Sequence, residues 1–345
     1  MRVAMYYSNH DVRLEEFKRP EINSDEALMR IEASGICGSD VMEWYRKDKV
    51  PLVLGHEVAG TLEEIGRNVK GFKVGDRVVA THHVPCGDCE YCRNDHETVC
   101  ETLRQTHFDP GGFSEFVRIP EINLKLGTLK IPKNVSFEEA TFVEPLGCVV
   151  RGQRSVNMKS GKRVLVLGSG IAGLLHIKLA RYWKAKTIVA TDIDPFRLKM
   201  AKKFGATAVV HASENVPGYL RAYHKGRLAD CVILCSGAQS AIEQGLRCVE
   251  RGGTILIFTA ASQDSCLPVP TNEIFWRSEV TVLSSYAASP RDLKDALALI
   301  SKKKIRVKDM ITHELPLGEI QKGFDLVVNP KDSIKVIIHP QKTMT

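Results

Sequence analysis

Four cysteines fall in one short stretch, Cys86, Cys89, Cys92 and Cys100 within PCGDCEYCRNDHETVC. Four thiolates so spaced can close a tetrahedron around Zn²⁺ and leave no position for water or substrate, which makes a structural site. Four thiolates also suit iron, so the spacing alone leaves an iron–sulfur cluster open. Four unrelated buried thiols would carry Gly87, Asp88, Asn94 and Asp95 into a core, which is the poorest of the three readings. A second set is scattered. Cys37 lies in GICGSD, His56 and Glu57 lie in LGHEVAG, and Glu144 lies in FVEPLG, the first three beside strand-like runs. One thiolate, one imidazole and one or two carboxylates give zinc three protein ligands and an open position, the arrangement of a catalytic site. Singly, the cysteine and histidine read as packing and the glutamates as surface carboxylates; the set carries the reading.

A third pattern is Gly168-Ser-Gly170-Ile171-Ala172-Gly173, which follows the apolar run RVLVL and opens a helical pattern. In that context the first glycine makes the turn, the second admits a pyrophosphate against backbone, and the third lets helix pack on strand. Asp192 ends the next strand, where a carboxylate accepts hydrogen bonds from the adenosine ribose hydroxyls. A 2′-phosphate would meet that charge, so NAD is favoured over NADP, while Arg197 nearby leaves NADP or dual use open.

These residues need two kinds of scaffold. Over residues 1–146, short strand patterns (RVAMYY, EALMRIEASGI, EVAGTLEEIG, GDRVVATHHV, FSEFVRIP, NLKLG) broken by glycine and proline predict a β-rich, partly barrel-like domain. Over 147–284, apolar strands alternate with helical patterns such as IAGLLHIKLARYW and SAIEQGLRCVERGG, predicting a doubly wound parallel sheet. Residues 285–345, with DLKDALALISKKK and IKVIIHP, return to the first domain, giving an α/β chain with an inserted dinucleotide unit.

With 345 residues, 43% hydrophobic and 26% charged, the chain is long enough for two cores. Its net charge of +7 comes from 48 basic and 41 acidic residues spread throughout. The densest basic run, Lys302-Lys303-Lys304-Ile305-Arg306, reads as a solvated helix face, so no nucleic-acid partner is expected. No apolar run suits a membrane span, and the opening MRVAMYYSNHDVRLEEF lacks a signal-peptide core, so a cytoplasmic protein is expected. In that reducing compartment the clustered thiols favour metal over disulfide.

Taken in order, GICGSD, LGHEVAG, the cysteine lobe, VEPLG and GSGIAG resemble the zinc-containing medium-chain dehydrogenases, over essentially the whole chain. The resemblance implies a GroES-like catalytic domain split around a Rossmann domain, an active site in the cleft between them, two zinc ions per chain and NAD. It implies Cys37, His56 and Glu57 as ligands of the catalytic zinc, with Glu144 entering the shell or holding the zinc water. A glutamate in E-P-L is similar to the sorbitol and threonine dehydrogenase branches; horse-liver-type alcohol dehydrogenases have a cysteine near that point, for which Cys148 is the alternative. The implied reaction oxidises a secondary alcohol by hydride transfer to NAD, with a Lewis-acid metal and with Ser39 passing the proton towards the nicotinamide ribose. The plain reading of Ser39 is a turn cap.

One departure stands out. Polyol and threonine enzymes carry a histidine where this chain has Met42, and His82, His83 and His107 are the candidate substitutes. The expected substrate is therefore a polyol or sugar-like alcohol, ahead of threonine, a sugar phosphate or a simple alcohol. Tyr286 resembles in position an aromatic residue of the polyol pocket. A zinc-binding interaction module would explain the cysteine lobe but neither the second ligand set nor the dinucleotide pattern. The run TVLSSYA is expected at a sheet edge that pairs in a homotetramer, or in a dimer as the smaller assembly.

Overall fold

A computed structural model describes residues 1–342; residues 343–345, the end of the segment expected over 285–345, lie outside the described residues. The chain divides into two compact units, Met1–Gly147 with Ala287–Thr345, and Cys148–Tyr286.

The strand Ala27–Gly35 is the hub of the first unit. It pairs antiparallel with Glu57–Ile65, with Phe116–Ile119 and with Lys335–His339. Apolar side chains cover it: Met29 and Ile31 pack with Val58, Leu62, Val78 and Val117. Just past its end, Ile36 joins Tyr6, Leu54, Phe113 and Phe324 in a separate cluster. The register sets the functional geometry, because Gly35 stands opposite Glu57 on one side and Ile337 on the other. Cys37 just beyond the hub and His56 just before the neighbouring strand therefore emerge at the same end of one strand pair. Gly71 and Gly75 take φ +84° and +85°, the left-handed region open to glycine, and so turn the chain into Arg77–Ala80. That strand is paired on both sides.

One expected strand is a helix. NLKLG forms the end of Glu121–Gly127, with Leu124 and Asn123 inward and a Glu121–Lys125 ion pair one turn apart. Its two-residue alternation suggested a strand, but no ladder partner is there; instead the Asn123 amide donates to the carbonyls of Thr81 and His82 at 3.0 and 2.9 Å.

The second unit holds six parallel strands, Arg163–Leu167, Thr187–Asp192, Ala208–His211, Ala229–Leu234, Val249–Ile257 and Thr281–Ser284. Counted along the chain they lie in the order 3-2-1-4-5-6, the doubly wound arrangement. Val164–Leu167 are fully buried, since helices on both faces of a parallel sheet demand a continuous apolar run. Thr281–Ser284 pairs on one side with Val249–Ile257, so TVLSSYA does lie at a sheet edge. Among the described residues no helix is long and apolar enough to cross a membrane.

Candidate zinc centres and dinucleotide loop

The strand register brings the ligand atoms of Cys37, His56 and Glu57 within 4.8 Å of one another. His56 and Glu57 are buried, Cys37 partly so. Glu144, in the first turn of the helix Val143–Ser155, is not part of that group; it lines a small cavity with Val79, Thr81 and Leu293.

Two residues unremarked in the sequence complete the centre. Asp40 is fully buried, and its Oδ2 accepts the backbone N–H of Cys37 at 3.0 Å. Its Oδ1 stands 3.3 Å from His56 Nδ1, a charge contact without the alignment of a good hydrogen bond. Burial pushes the Asp40 carboxyl up, but the charge and contact of His56, the Cys37 N–H and the charge of Arg46 together outweigh it and hold that carboxyl below its ordinary range. Burial likewise pushes His56 down, yet Asp40 and then Cys37 outweigh it, so without a metal the imidazole sits well above its usual value. With Asp40 beside Nδ1, Nε2 is the ring atom left for a metal, an outer carboxylate fixing the orientation of a ligand histidine. Asp40→Asn is expected to weaken metal binding at this set by about ten- to a hundredfold, read by competition with a chelator; unchanged affinity would contradict the role.

Lys335 is the second. Its ammonium is buried, pairs with Glu57 Oε2 and donates to the Ile36 carbonyl at 3.0 Å. It arrives from the returning strand, and Gly35 makes room for it, since a Cβ there would lie 2.1 Å from Glu57 Oε2 and 2.7 Å from Lys335 Cε. A buried carboxylate is thus matched by a buried cation, as burial of charge requires.

Three histidines string away from His56. The His82 ring lies 5.0 Å from that of His56 and 3.7 Å from that of His83, which in turn lies 6.0 Å from His107. Burial, and then neighbouring imidazolium charge, pushes His82 well below its usual value and His83 to about 4, so both stay neutral near pH 7. His82 Nδ1 is buried with no partner among the described residues. Ser39 sits in the turn after Cys37, its carbonyl accepting from the Met42 N–H at 3.4 Å. Cys148 is half-buried, and Tyr286, 53% exposed, is the last residue of the second unit.

In the lobe, the sulfurs of Cys86, Cys89, Cys92 and Cys100 all lie within 4.8 Å of one another. Three of the pairs measure 3.5, 3.6 and 3.9 Å. Zn–S bonds of about 2.3 Å would make tetrahedral edges of about 3.8 Å, so the spacing fits one ion. An iron–sulfur cluster would divide the thiolates over two or four irons and spread the sulfurs of different irons further apart. Burial pushes Cys100 up, but the backbone N–H groups of Cys86 and Leu103 outweigh it and bring the thiol to about 6, already a thiolate at neutral pH.

In the second unit Gly168 turns the chain at φ +94°, and a Cβ on it would crowd Cys235. A Cβ on Gly170 would meet nothing within 4 Å, whereas one on Gly173 would lie 2.0 Å from the Gly168 carbonyl oxygen. The open middle glycine lies at the start of the helix Ile171–Tyr182, which bares backbone N–H groups for an anion. Ile171 and Ala172 supply that first turn. Asp192, 6% exposed, accepts Ser169 N–H at 2.8 Å and Asp194 N–H at 3.0 Å, while Arg197 Nη1 stands 3.9 Å away.

Comparison with known proteins agrees along the chain. Residues 23–133 match the alcohol dehydrogenase GroES-like domain, and residues 172–302 match the zinc-binding dehydrogenase family. The chain is 33% identical to a probable D-xylulose reductase A of Aspergillus clavatus, covering 95% of this chain and 94% of that protein. It is 32% identical to an L-threonine 3-dehydrogenase of Caldanaerobacter subterraneus subsp. tengcongensis, covering 98% of each. A provisionally named zinc-binding dehydrogenase of Sinorhizobium meliloti 1021, solved bound to NADP, superposes with a TM-score of 0.87 at 28% identity, covering 98% of this chain and 99% of that one.

Proposed function

The chain belongs to the zinc-containing medium-chain dehydrogenases and is an alcohol-oxidising enzyme of that family, and from that premise we propose that it oxidises a secondary hydroxyl of a polyol or sugar-like substrate with NAD. The carrying observation is the convergence of Cys37, His56 and Glu57 at one strand end, with Asp40 buried behind His56. Zinc bound there supplies a Lewis acid, and the dinucleotide supplies the hydride acceptor. The overall balance is alcohol plus NAD⁺ to ketone plus NADH and a proton. Asp40 orients His56, Lys335 pairs with Glu57 and holds it in place, and Glu144, outside the ligand group, plays a supporting part. Ser39 relays the released proton, its hydroxyl accepting one as it gives up its own towards the nicotinamide ribose and solvent. The cysteine lobe holds a second, structural zinc. Reduced thiols in both sets suit a cytoplasmic enzyme.

A polyol is favoured over threonine because the set offers carboxylates and neutral imidazoles to hydroxyl groups, and position 42 has no histidine. Names of relatives fall on both sides, a xylulose reductase and a threonine dehydrogenase. A panel of alditols, vicinal diols, threonine and primary alcohols, followed by formation of reduced nicotinamide, tests the reading. Alditols or diols should lead; rapid turnover of threonine with none of any polyol would sink it.

NAD preference rests on Asp192, whose buried charge would repel a 2′-phosphate. The expected kcat/KM is at least about tenfold higher with NAD than NADP, the equivalent of one like-charge contact, and Asp192→Ser should narrow the gap. Clearly faster turnover with NADP would mean that Arg197 sets the choice.

The edge strand Thr281–Ser284 offers unpaired backbone groups of the kind two subunits share across a two-fold axis. A homotetramer is proposed, with the dimer as its building block; light scattering that finds only monomer would exclude it.

A further inference from the structure

Arg46 closes the short helical turn Glu43–Arg46, nine residues after Cys37 in the loop that leads back to the next strand. One of its N–H groups donates to the Ser39 carbonyl at 3.2 Å, and its guanidinium stacks 4.9 Å from the centre of the Tyr45 ring. The Nε atom is buried with no hydrogen-bond partner among the described residues, and Arg46 forms no ion pair there. The carboxylates within electrostatic reach are otherwise engaged: Asp40 by Cys37 N–H and His56, Glu43 by the Asn9 N–H at 3.3 Å. Arg46 nevertheless lies beside the proposed zinc centre, since the Ser39 carbonyl it holds is two residues after Cys37 and one before Asp40. A second cation shares that ring, Lys49, whose ammonium stands 3.6 Å from the Tyr45 ring centre.

A partly buried guanidinium with an unmatched edge is costly unless an anion meets it. Its donors form a rigid fork that fits carboxylate or phosphate oxygens. We propose that Arg46 is an anion-binding subsite beside the Cys37–His56–Glu57 centre, so that the substrate is a polyol carrying a carboxylate or phosphate group. This rests on the reading of that centre as the alcohol-oxidising site, and it narrows the substrate class from neutral to anionic polyols. Lys49 adds a second positive charge on the Tyr45 ring, which holds the guanidinium in place.

The test compares sorbitol, gluconate and a sorbitol phosphate as substrates of the zinc-loaded enzyme with NAD, in the wild type, Arg46→Gln and Arg46→Lys. The wild type should prefer one of the two anions over sorbitol by tenfold or more in kcat/KM, and which one it prefers separates carboxylate from phosphate. Arg46→Gln should raise KM for that anion by about ten- to a hundredfold, the size of a lost charged hydrogen-bond pair, and lower kcat/KM for the anion far more than for sorbitol. Arg46→Lys should recover part of the loss, which a purely structural arginine would not show. Equal loss on all three compounds, or a wild type that prefers sorbitol, overturns the subsite. Calorimetric binding of the same three compounds separates this inference from the reaction itself. Should none be oxidised, anion binding that Arg46→Gln abolishes upholds the subsite while the polyol reaction fails; binding indifferent to Arg46 overturns the subsite.

Discussion

Cys37→Ala is expected to lower kcat by about a thousandfold or more and to leave the fold intact. Cys37 offers the one thiolate of the Cys37–His56–Glu57 group, and it lies in a loop outside the strand ladder. Its loss removes no strand pairing and little packing, because the residue is only partly buried. What is lost is a ligand, and with it the Lewis acid, whose contribution of several kcal/mol corresponds to about three orders of magnitude or more in rate. His56→Ala should do the same. The double variant should be hardly slower than either single one, because groups that act as a unit are removed together by the first change. Metal content per chain, the thermal midpoint and kcat measured on the same samples decide the matter. A Cys37→Ala protein within tenfold of wild-type kcat would show that the centre lies elsewhere.

Cys89→Ala is expected to act in the opposite way, chiefly on structure. The segment from Cys86 to Gln105 has only short helical turns, Glu90–Arg93, Glu97–Val99 and Glu101–Gln105, and its buried side chains there are few: Thr98, Cys100 and Leu103. Turns this short hold together through something other than their own propensity. The four sulfurs stand where a core would be, and metal binding in such small elements is itself the folding free energy, roughly 10 kcal/mol or more in isolated peptides. Removing one thiolate should cost the protein one zinc and leave the lobe open to proteolysis and fast amide exchange between residues 86 and 105. The parallel sheet of the second unit should remain protected. A lobe as protected in Cys89→Ala as in the wild type would mean that the thiols are packing and nothing more.

How far the sequence spoke for itself depends on how local each feature is. The cysteine lobe and the glycine loop were legible because their parts lie within one turn or one strand–helix junction, so spacing alone implies geometry. The six-stranded parallel sheet was legible for the same reason, its strands being continuous apolar runs. Cys37, His56 and Glu57 could be named from their motifs, but their meeting depends on register, Gly35 opposite Glu57, which no spacing reveals. Asp40 was in plain view in GICGSD; the signal missed was a carboxylate three residues after a candidate metal thiolate. Lys335 carried no local signal, being 278 residues from Glu57 and reaching it only once the last strand has paired with the hub. NLKLG misled because two-residue alternation in five residues does not exclude a helix that packs on a strand end. Arg46 passed as one more charge in YRKDK, and only its burial and unmatched edge set it apart.

The central claim is that hydride leaves the carbinol carbon of an alcohol for a nicotinamide. It is tested most directly with an alditol carrying deuterium on its carbinol carbons, incubated with the zinc-loaded enzyme and NAD, followed by mass spectrometry of the recovered dinucleotide. The account predicts one deuterium in each reduced nicotinamide, and a rate of its formation lower by about a thousandfold or more once Cys37 is replaced by alanine. Reduced dinucleotide free of deuterium, or labelled equally fast by the Cys37→Ala protein, would contradict it.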